Sequence, residues 1–136
     1  MCIRDRSRSN QIIRESGDIA SLRADSVIRH ADVLCEAERY DAAVALLQRV
    51  RVETVEQRGD ADTIHVRCQT QSGDLDGALE VAQRNHAQPN TIANLALALK
   101  EAGRVAEARA VLEPACPRMQ GADAPRCYDL LETLVP

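Results

Sequence analysis

The sequence predicts an all-α protein in which helices pack on helices, and three observations support this fold class. Alanine, leucine and valine supply 21, 13 and 11 of the 136 residues, whereas aromatic residues make up only 1%. A core of such small side chains requires closely approaching backbones, and a β-sandwich this poor in aromatic residues would be unusual. Apolar residues also recur at helical spacing from residue 18 onward, and an apolar fraction of 45% excludes a disordered chain.

The first nine residues differ from the rest of the chain. They read Met-Cys-Ile-Arg-Asp-Arg-Ser-Arg-Ser, without helical spacing and without the apolar stretch that a secretory signal requires. Residues 1–7 resemble the translated sequencing-adapter leader found on open reading frames of metagenome assemblies. We therefore interpret residues 1–9 as an artefactual or disordered leader and expect the chain to be a fragment of a longer bacterial protein.

Three helical hairpins are predicted over residues 18–116. The first helix ends near Leu34, and the second begins near Asp41, which suits an N-cap, and stops at Gly59. Gly73 separates the helices of the second hairpin and Gly103 those of the third. The apolar stripe of the first helix comprises Ala20, Ala24, Val27, Ala31 and Leu34.

A loop and a capping helix are predicted over residues 117–136. Pro125 suits the first turn of a helix, where no backbone donor is required. Leu130, Leu131 and Leu134 supply an apolar face, and acidic residues lie beside them. An amphipathic last helix of this kind is typical of a solubilising cap on stacked hairpins.

The predicted hairpins repeat one another. Ala43, Ala78 and Ala108 occupy equivalent places early in each second helix, at spacings of 35 and 30 residues. In the segment from Asn94 to Ala108, leucines and alanines are followed by the turn glycine and then by a small residue in the next helix. These units resemble tetratricopeptide repeats, whose period is about 34 residues. The resemblance implies a right-handed solenoid of about three hairpins plus the capping helix.

Two departures from the repeat pattern are visible. The bulky aromatic residue usual near the start of the first helix is replaced by Val27, Ala61 and Ile92. Glu38 also stands where Gly73 marks the turn of the next hairpin. The repeats are therefore interpreted as degenerate.

The resemblance also implies a concave groove lined by the first helix of each hairpin. Carried over onto this sequence, the groove positions are Ile28, Asp32, Val66, Gln69, Ala93, Asn94, Leu97 and Lys100. Family members that bind a chaperone C-terminal carboxylate place several lysines, an arginine and asparagines here. This chain has one lysine and an aspartate of the wrong charge, so we reject that specificity.

Ile28, Val66 and Leu97 are instead expected to form an apolar stripe along the groove. Such a stripe suits an amphipathic or extended peptide. We therefore expect a protein–protein interaction scaffold that binds a peptide or a partner domain. A missing upstream repeat or another domain covering the stripe is an equally weighted alternative, and a regulatory or sensor segment of a larger signalling protein, a kinase or a transcription regulator, is another.

Charge and composition exclude several other partners. There are 17 basic and 21 acidic residues, a net charge of −4, which does not favour nucleic acid. No apolar run approaches the roughly 20 residues that span a bilayer. No motif of a hydrolase, a phosphate-binding loop or a zinc protease occurs, so we expect no enzyme and no cofactor.

The cysteines leave alternatives open. Ten residues that include two prolines and a glycine separate Cys116 from Cys127, and the pair forms either a disulfide or two free thiols. A disulfide would favour a periplasmic or secreted protein, and otherwise a cytoplasmic location is equally compatible. His65 and Cys68, with His30 and Cys35, supply four potential zinc ligands. Because no Cys-x-x-Cys pair exists, we expect packed histidines, a buried Cys68 and no metal site.

Overall fold

The computed structural model describes residues 23–135, and in this part of the chain all regular secondary structure is helical, with no strand. Its α-helices are α1 over residues 23–36, α2 (Tyr40–Arg49), α3 (Val55–Ser72), α4 (Leu75–Ala82), α5 (Pro89–Glu101), α6 (Val105–Leu112) and α7 (Asp123–Thr133). A 3-10 helix over Cys116–Arg118 precedes α7. The all-α prediction is confirmed, whereas the predicted leader and Ala20 lie outside the described residues.

Consecutive helices pack as hairpins, and each hairpin touches the next. α3 packs against α4, and α5 against α6. α3 also contacts α2 on one side and α5 on the other, while α7 contacts α6 and the 3-10 helix. Short connections enforce this pairing, since only residues 73–74 separate α3 from α4.

The same turn closes all three hairpins. Glu38, Gly73 and Gly103 adopt left-handed φ values of 62°, 89° and 78°. In each turn the following backbone N–H donates to a carbonyl five residues earlier, a Schellman arrangement. These bonds join Arg39 N to Leu34 O (2.8 Å), Asp74 N to Gln69 O (2.9 Å) and Arg104 N to Leu99 O (2.8 Å). Glu38 is thus the structural equivalent of two glycines.

An alanine lies five residues after each of these turns and is fully buried. These residues are Ala43, Ala78 and Ala108. A methyl side chain at this place lets the second helix of each hairpin approach its neighbours closely. The predicted repeat of the turn and of the small residue is therefore present in the structure.

Most of the buried apolar residues between 23 and 135 fall into two clusters. The N-terminal cluster comprises Ile28, Ala31, Cys35, Ala43, Leu47, Ala61, Ile64 and Cys68. The C-terminal cluster has seventeen buried members, of which the largest fully buried side chains are Ile92, Leu95, Leu99, Leu112 and Leu134. α3 contributes to both clusters and therefore lies between them.

The boundary between α2 and α3 differs from the prediction. α2 ends at Arg49, and α3 already begins at Val55, so Gly59 lies inside α3 and does not stop α2. Thr54 caps α3, because its Oγ1 accepts a hydrogen bond from Gln57 N (3.1 Å), and Gln57 Oε1 accepts one from Glu53 N (2.8 Å). A threonine followed three residues later by glutamine is a capping-box signal that the sequence prediction overlooked.

The buried face of α1 differs from the prediction at two positions, each by one residue along the chain. The structure buries Ile28 and Cys35, whereas Val27 and Leu34 are only half-buried. Both sets share Ala24 and Ala31 and fit a helical period equally well. Packing against α2 and α3 decides between them.

Candidate functional site

The predicted groove is only partly exposed. The relative solvent exposure is 6% for Ile28, 0% for Val66 and 7% for Gln69. Ile28 packs in the N-terminal cluster and Val66 in the C-terminal cluster, because both lie on core-facing sides of their helices. The prediction that Ile28, Val66 and Leu97 form one apolar stripe is therefore wrong.

Asp32 lies at the contact between α1 and α3. Its carboxylate forms an ion pair with Arg67 of α3. Both side chains are about one-third exposed, so solvent screens the pair and its contribution to stability is small. Asp32 thus joins two helices in this structure.

The remaining groove residues lie together on α5. Asn94, Leu97 and Lys100 are exposed, and Ala93 is half-buried. Lys100 Nζ donates a hydrogen bond to Thr133 Oγ1 at 3.3 Å, which connects this face of α5 to α7. The exposed part of the predicted groove is therefore the α5 surface beside the capping helix.

A cleft of about 380 Å³ runs between α5 and α7. We call it the α5–α7 cleft, and its apolar lining consists of Ala93, Leu97, Met119, Cys127 and Leu130. The polar residues Asn90, Asn94, Asp123 and Arg126 also line it. Leu97 is 42% exposed, which leaves an apolar surface open to solvent between amide and charged groups. Such an arrangement accepts an apolar side chain and can hydrogen-bond a peptide backbone.

A disulfide fixes one wall of this cleft. Cys116 of the 3-10 helix and Cys127 of α7 are bonded, with their Cα atoms 5.4 Å apart. Of the two states that the sequence left open for this pair, the structure contains the disulfide. The bond holds the first turns of α7 against the end of the third hairpin.

A second disulfide joins Cys35 of α1 to Cys68 of α3, with a Cα–Cα distance of 5.6 Å. From the sequence, Cys68 is expected to be a buried residue, and its pairing with Cys35 is not predicted. No local spacing indicates it, because the two cysteines are 33 residues apart. The two sulfurs proposed as zinc ligands are thus bonded to each other, and the described residues contain no cluster of three or more metal-binding side chains.

A second pocket, of about 410 Å³, lies between α2, α3 and the α4–α5 loop, and we call it the α3 pocket. Asp62 and His65 of α3 line it and are buried. Asp62 Oδ2 lies 3.1 Å from His86 Nδ1, and Asp62 Oδ1 lies 3.6 Å from Arg84 Nη1. Burial lowers the pKa of His65, and this effect exceeds the opposing attraction of Asp62. His65 is therefore held as a neutral imidazole at neutral pH.

Among the described residues, two buried side-chain atoms of α3 have no hydrogen-bond partner, Nε2 of His65, which lines this pocket, and Oε1 of Gln69. An unpartnered buried polar atom costs about 1–3 kcal/mol, so α3 carries a local destabilisation. Neither Arg84 nor His86 is predicted as a site residue from the sequence. The available signal was the helical spacing of polar residues at 62, 65 and 69, which places them on one face of α3.

No described helix has both the length and the apolar character needed to cross a membrane. No family model, curated protein or solved structure matches the chain. The α5–α7 cleft and the α3 pocket are therefore the features from which function is inferred.

Proposed function

We propose that this chain is a helical-repeat module that binds a protein or peptide partner. The three hairpins share the left-handed turn at Glu38, Gly73 and Gly103 and the buried alanine that follows each turn. Hairpins with one exposed apolar face gain stability by stacking on each other, as tetratricopeptide-like repeats do in a right-handed solenoid. α7 is then the terminal cap of the stack.

The observation that carries this proposal is the α5–α7 cleft. Its lining is more apolar than polar, and the exposed residues Asn90 and Asn94 also line it. An apolar side chain of the partner would pack on Leu97 and Leu130, and the amides would bond to its backbone. An extended or amphipathic peptide provides both groups.

Two disulfides support an oxidising compartment as the place where this module works. Cys35–Cys68 and Cys116–Cys127 account for every cysteine among the described residues. Disulfides persist in periplasmic and secreted proteins and are rare in the reducing cytosol. The partner is therefore expected to be a periplasmic or secreted protein.

A peptide-display selection tests the cleft directly. The oxidised protein is used to select binders from a library of random peptides, and the Kd of a selected peptide is measured by fluorescence polarisation. Leu97→Asp places a charge in the apolar centre of the cleft and is expected to raise that Kd at least tenfold, because a desolvated carboxylate opposes apolar contact.

The matched control is Val55→Asp, which adds the same charge at a residue that is 85% exposed in the first turn of α3. Its Kd is expected to equal that of the unmodified protein. Circular dichroism and the melting temperature verify that both variants remain folded. Selection of no specific peptide, or equal binding by Leu97→Asp, contradicts the proposed function.

A further inference from the structure

The α3 pocket is lined by polar residues at positions where the equivalent helix, α5, has buried apolar residues of the core. Counted back from the turn glycine, Asp62 and His65 of α3 stand where α5 has Ile92 and Leu95, which are fully buried. Polar residues in buried places cost stability unless their partners compensate. Here the compensation is incomplete, because His65 Nε2 has no partner. Costly polar burial beside an open pocket is typical of a binding site.

The α4–α5 loop is positioned to complete this pocket. Gln88 N donates a hydrogen bond to Thr63 Oγ1 at 2.9 Å, which fixes the loop on α3. Gly59 permits the close approach, since a Cβ atom there would lie 3.2 Å from the carbonyl oxygen of His86. The loop thereby brings Arg84 and His86 to the carboxylate of Asp62.

The charges that line the pocket are predominantly positive. Arg58 and Arg84 are exposed lining residues, and Asp62 is the acidic one. Asp62 is already engaged by Arg84 and His86, whereas Arg58 forms no ion pair with any residue from 23 to 135. A guanidinium has five N–H donors, so both arginines retain donors for an anion.

Part of the lining of the α3 pocket is apolar. Leu47 of α2 and Val50 and Val52 of the following segment line it, together with Ala61 of α3. Val50 and Val52 are half-buried, so their side chains remain accessible from the pocket. A ligand that fills this volume must therefore combine an anionic group with a short apolar part.

We propose that the α3 pocket binds a small organic anion, a carboxylate or a phosphate ester with a short aliphatic chain. Arg58 and Arg84 hold the anionic oxygens, and the aliphatic chain packs on Leu47, Val50 and Val52. Asp62 is a positioning residue, because it orients Arg84 and His86 at the edge of the pocket. This site is separate from the α5–α7 cleft, with which it shares no lining residue.

Isothermal titration calorimetry on the oxidised protein tests this site with acetate, butyrate, butyl phosphate, inorganic phosphate and neutral butyramide as probes. Butyrate or butyl phosphate is expected to bind with a Kd of about 1 mM or tighter. Acetate is expected to bind more weakly than butyrate, by about fourfold for each methylene that packs on the apolar wall. The stronger of butyrate and butyl phosphate identifies the anionic group.

Arg58→Gln and Arg84→Gln are each expected to raise the Kd about tenfold, because each removes a charge-assisted hydrogen bond. Arg49→Gln removes the same charge from an exposed residue that does not line the pocket and is expected to leave the Kd unchanged. Unfolding curves verify that all three variants are folded. Absence of binding by both butyl probes, equal binding of butyramide, or an equal effect of Arg49→Gln overturns the proposal.

Discussion

α3 and α5 are the first helices of consecutive hairpins, but at equivalent buried positions α3 has polar side chains and α5 has apolar ones. The positions eleven, eight and four residues before the turn glycine hold Asp62, His65 and Gln69 in α3 and Ile92, Leu95 and Leu99 in α5. All six side chains are buried. Burying an aliphatic side chain contributes about 1.5–3 kcal/mol, whereas burying a polar group is unfavourable unless it is hydrogen-bonded. At these three positions, the same backbone geometry therefore carries an apolar core in α5 and a polar face in α3.

The two apolar clusters reflect this difference. The C-terminal cluster contains the large fully buried leucines and isoleucine of α5 and its neighbours. The N-terminal cluster is smaller and consists mainly of alanine, isoleucine and cysteine side chains. The disulfide that closes the longer loop, Cys35–Cys68, lies in the N-terminal cluster. The C-terminal cluster contains the other disulfide, Cys116–Cys127, so each cluster has one covalent bond and the longer loop is closed in the smaller cluster.

The largest expected effect comes from giving α5 a residue of α3. Leu95→His is expected to reduce the free energy of unfolding by about 4–5 kcal/mol, because it removes a fully buried leucine and introduces a polar ring without partners. Urea unfolding followed by circular dichroism measures the change.

The reciprocal change, His65→Leu, is expected to increase the free energy of unfolding by about 1 kcal/mol. It removes the unpartnered Nε2 atom and extends the apolar contacts of α3. If Leu95→His and His65→Leu change the free energy of unfolding in the same direction and by the same amount, the buried faces of α3 and α5 do not differ in their contribution to stability.

The two disulfides are expected to contribute different amounts to the free energy of unfolding. Replacing Cys35 and Cys68 by alanine is expected to cost about 4 kcal/mol, and replacing Cys116 and Cys127 about 3 kcal/mol, because the first bond closes a loop of 33 residues and the second a loop of 11. Thermal and urea unfolding of the two double variants measure both values. A larger loss for the Cys116–Cys127 pair would show that loop length does not control the difference.

A smaller effect is expected at the turns. Glu38→Gly is expected to stabilise the protein by about 0.5–1 kcal/mol, because glycine relieves the left-handed conformation at φ 62°. Gly103→Ala is the matched reverse change and is expected to destabilise by a similar amount, since nothing lies within 4 Å of the added Cβ and only backbone conformation changes. Loss of stability in Glu38→Gly would contradict the equivalence of the turns.

The smallest expected effect concerns pH. Burial lowers the pKa of His65 in the folded protein below its ordinary value of 6.5, despite nearby Asp62, Glu80 and Asp74. As the pH falls below 6.5, the unfolded chain gains a proton at this residue before the folded chain does, so stability decreases with acidification. The free energy of unfolding is measured between pH 7.5 and pH 5, roughly the range in which histidine titrates. It is expected to decrease less with falling pH in His65→Leu than in the unmodified protein. Parallel curves for both proteins would exclude His65 as the cause.

Local sequence signals predicted the third hairpin and missed parts of the first two. Pro89, Gly103 and the apolar spacing of α5 all indicate the same helix, and the structure has it there. At α3, Gly59 indicated a helix end, but the backbone of His86 packs against it and the capping residue is Thr54. Exposure of Ile28 and Val66 was mispredicted, because the family pattern places them outward whereas contacts with other helices bury them.

Local residue patterns are sufficient to predict the helical class, the three turns and the small residue that follows each turn. These features depend on backbone preferences and spacing within a few residues, and Gly73 and Gly103 show them directly. Packing between distant segments determines which face of α1 is buried, which cysteines pair and that the polar face of α3 lines a pocket. Such properties depend on residues distant in the chain, since the carboxylate of Asp62 lies near Arg84 and His86 only after the α4–α5 loop packs on α3.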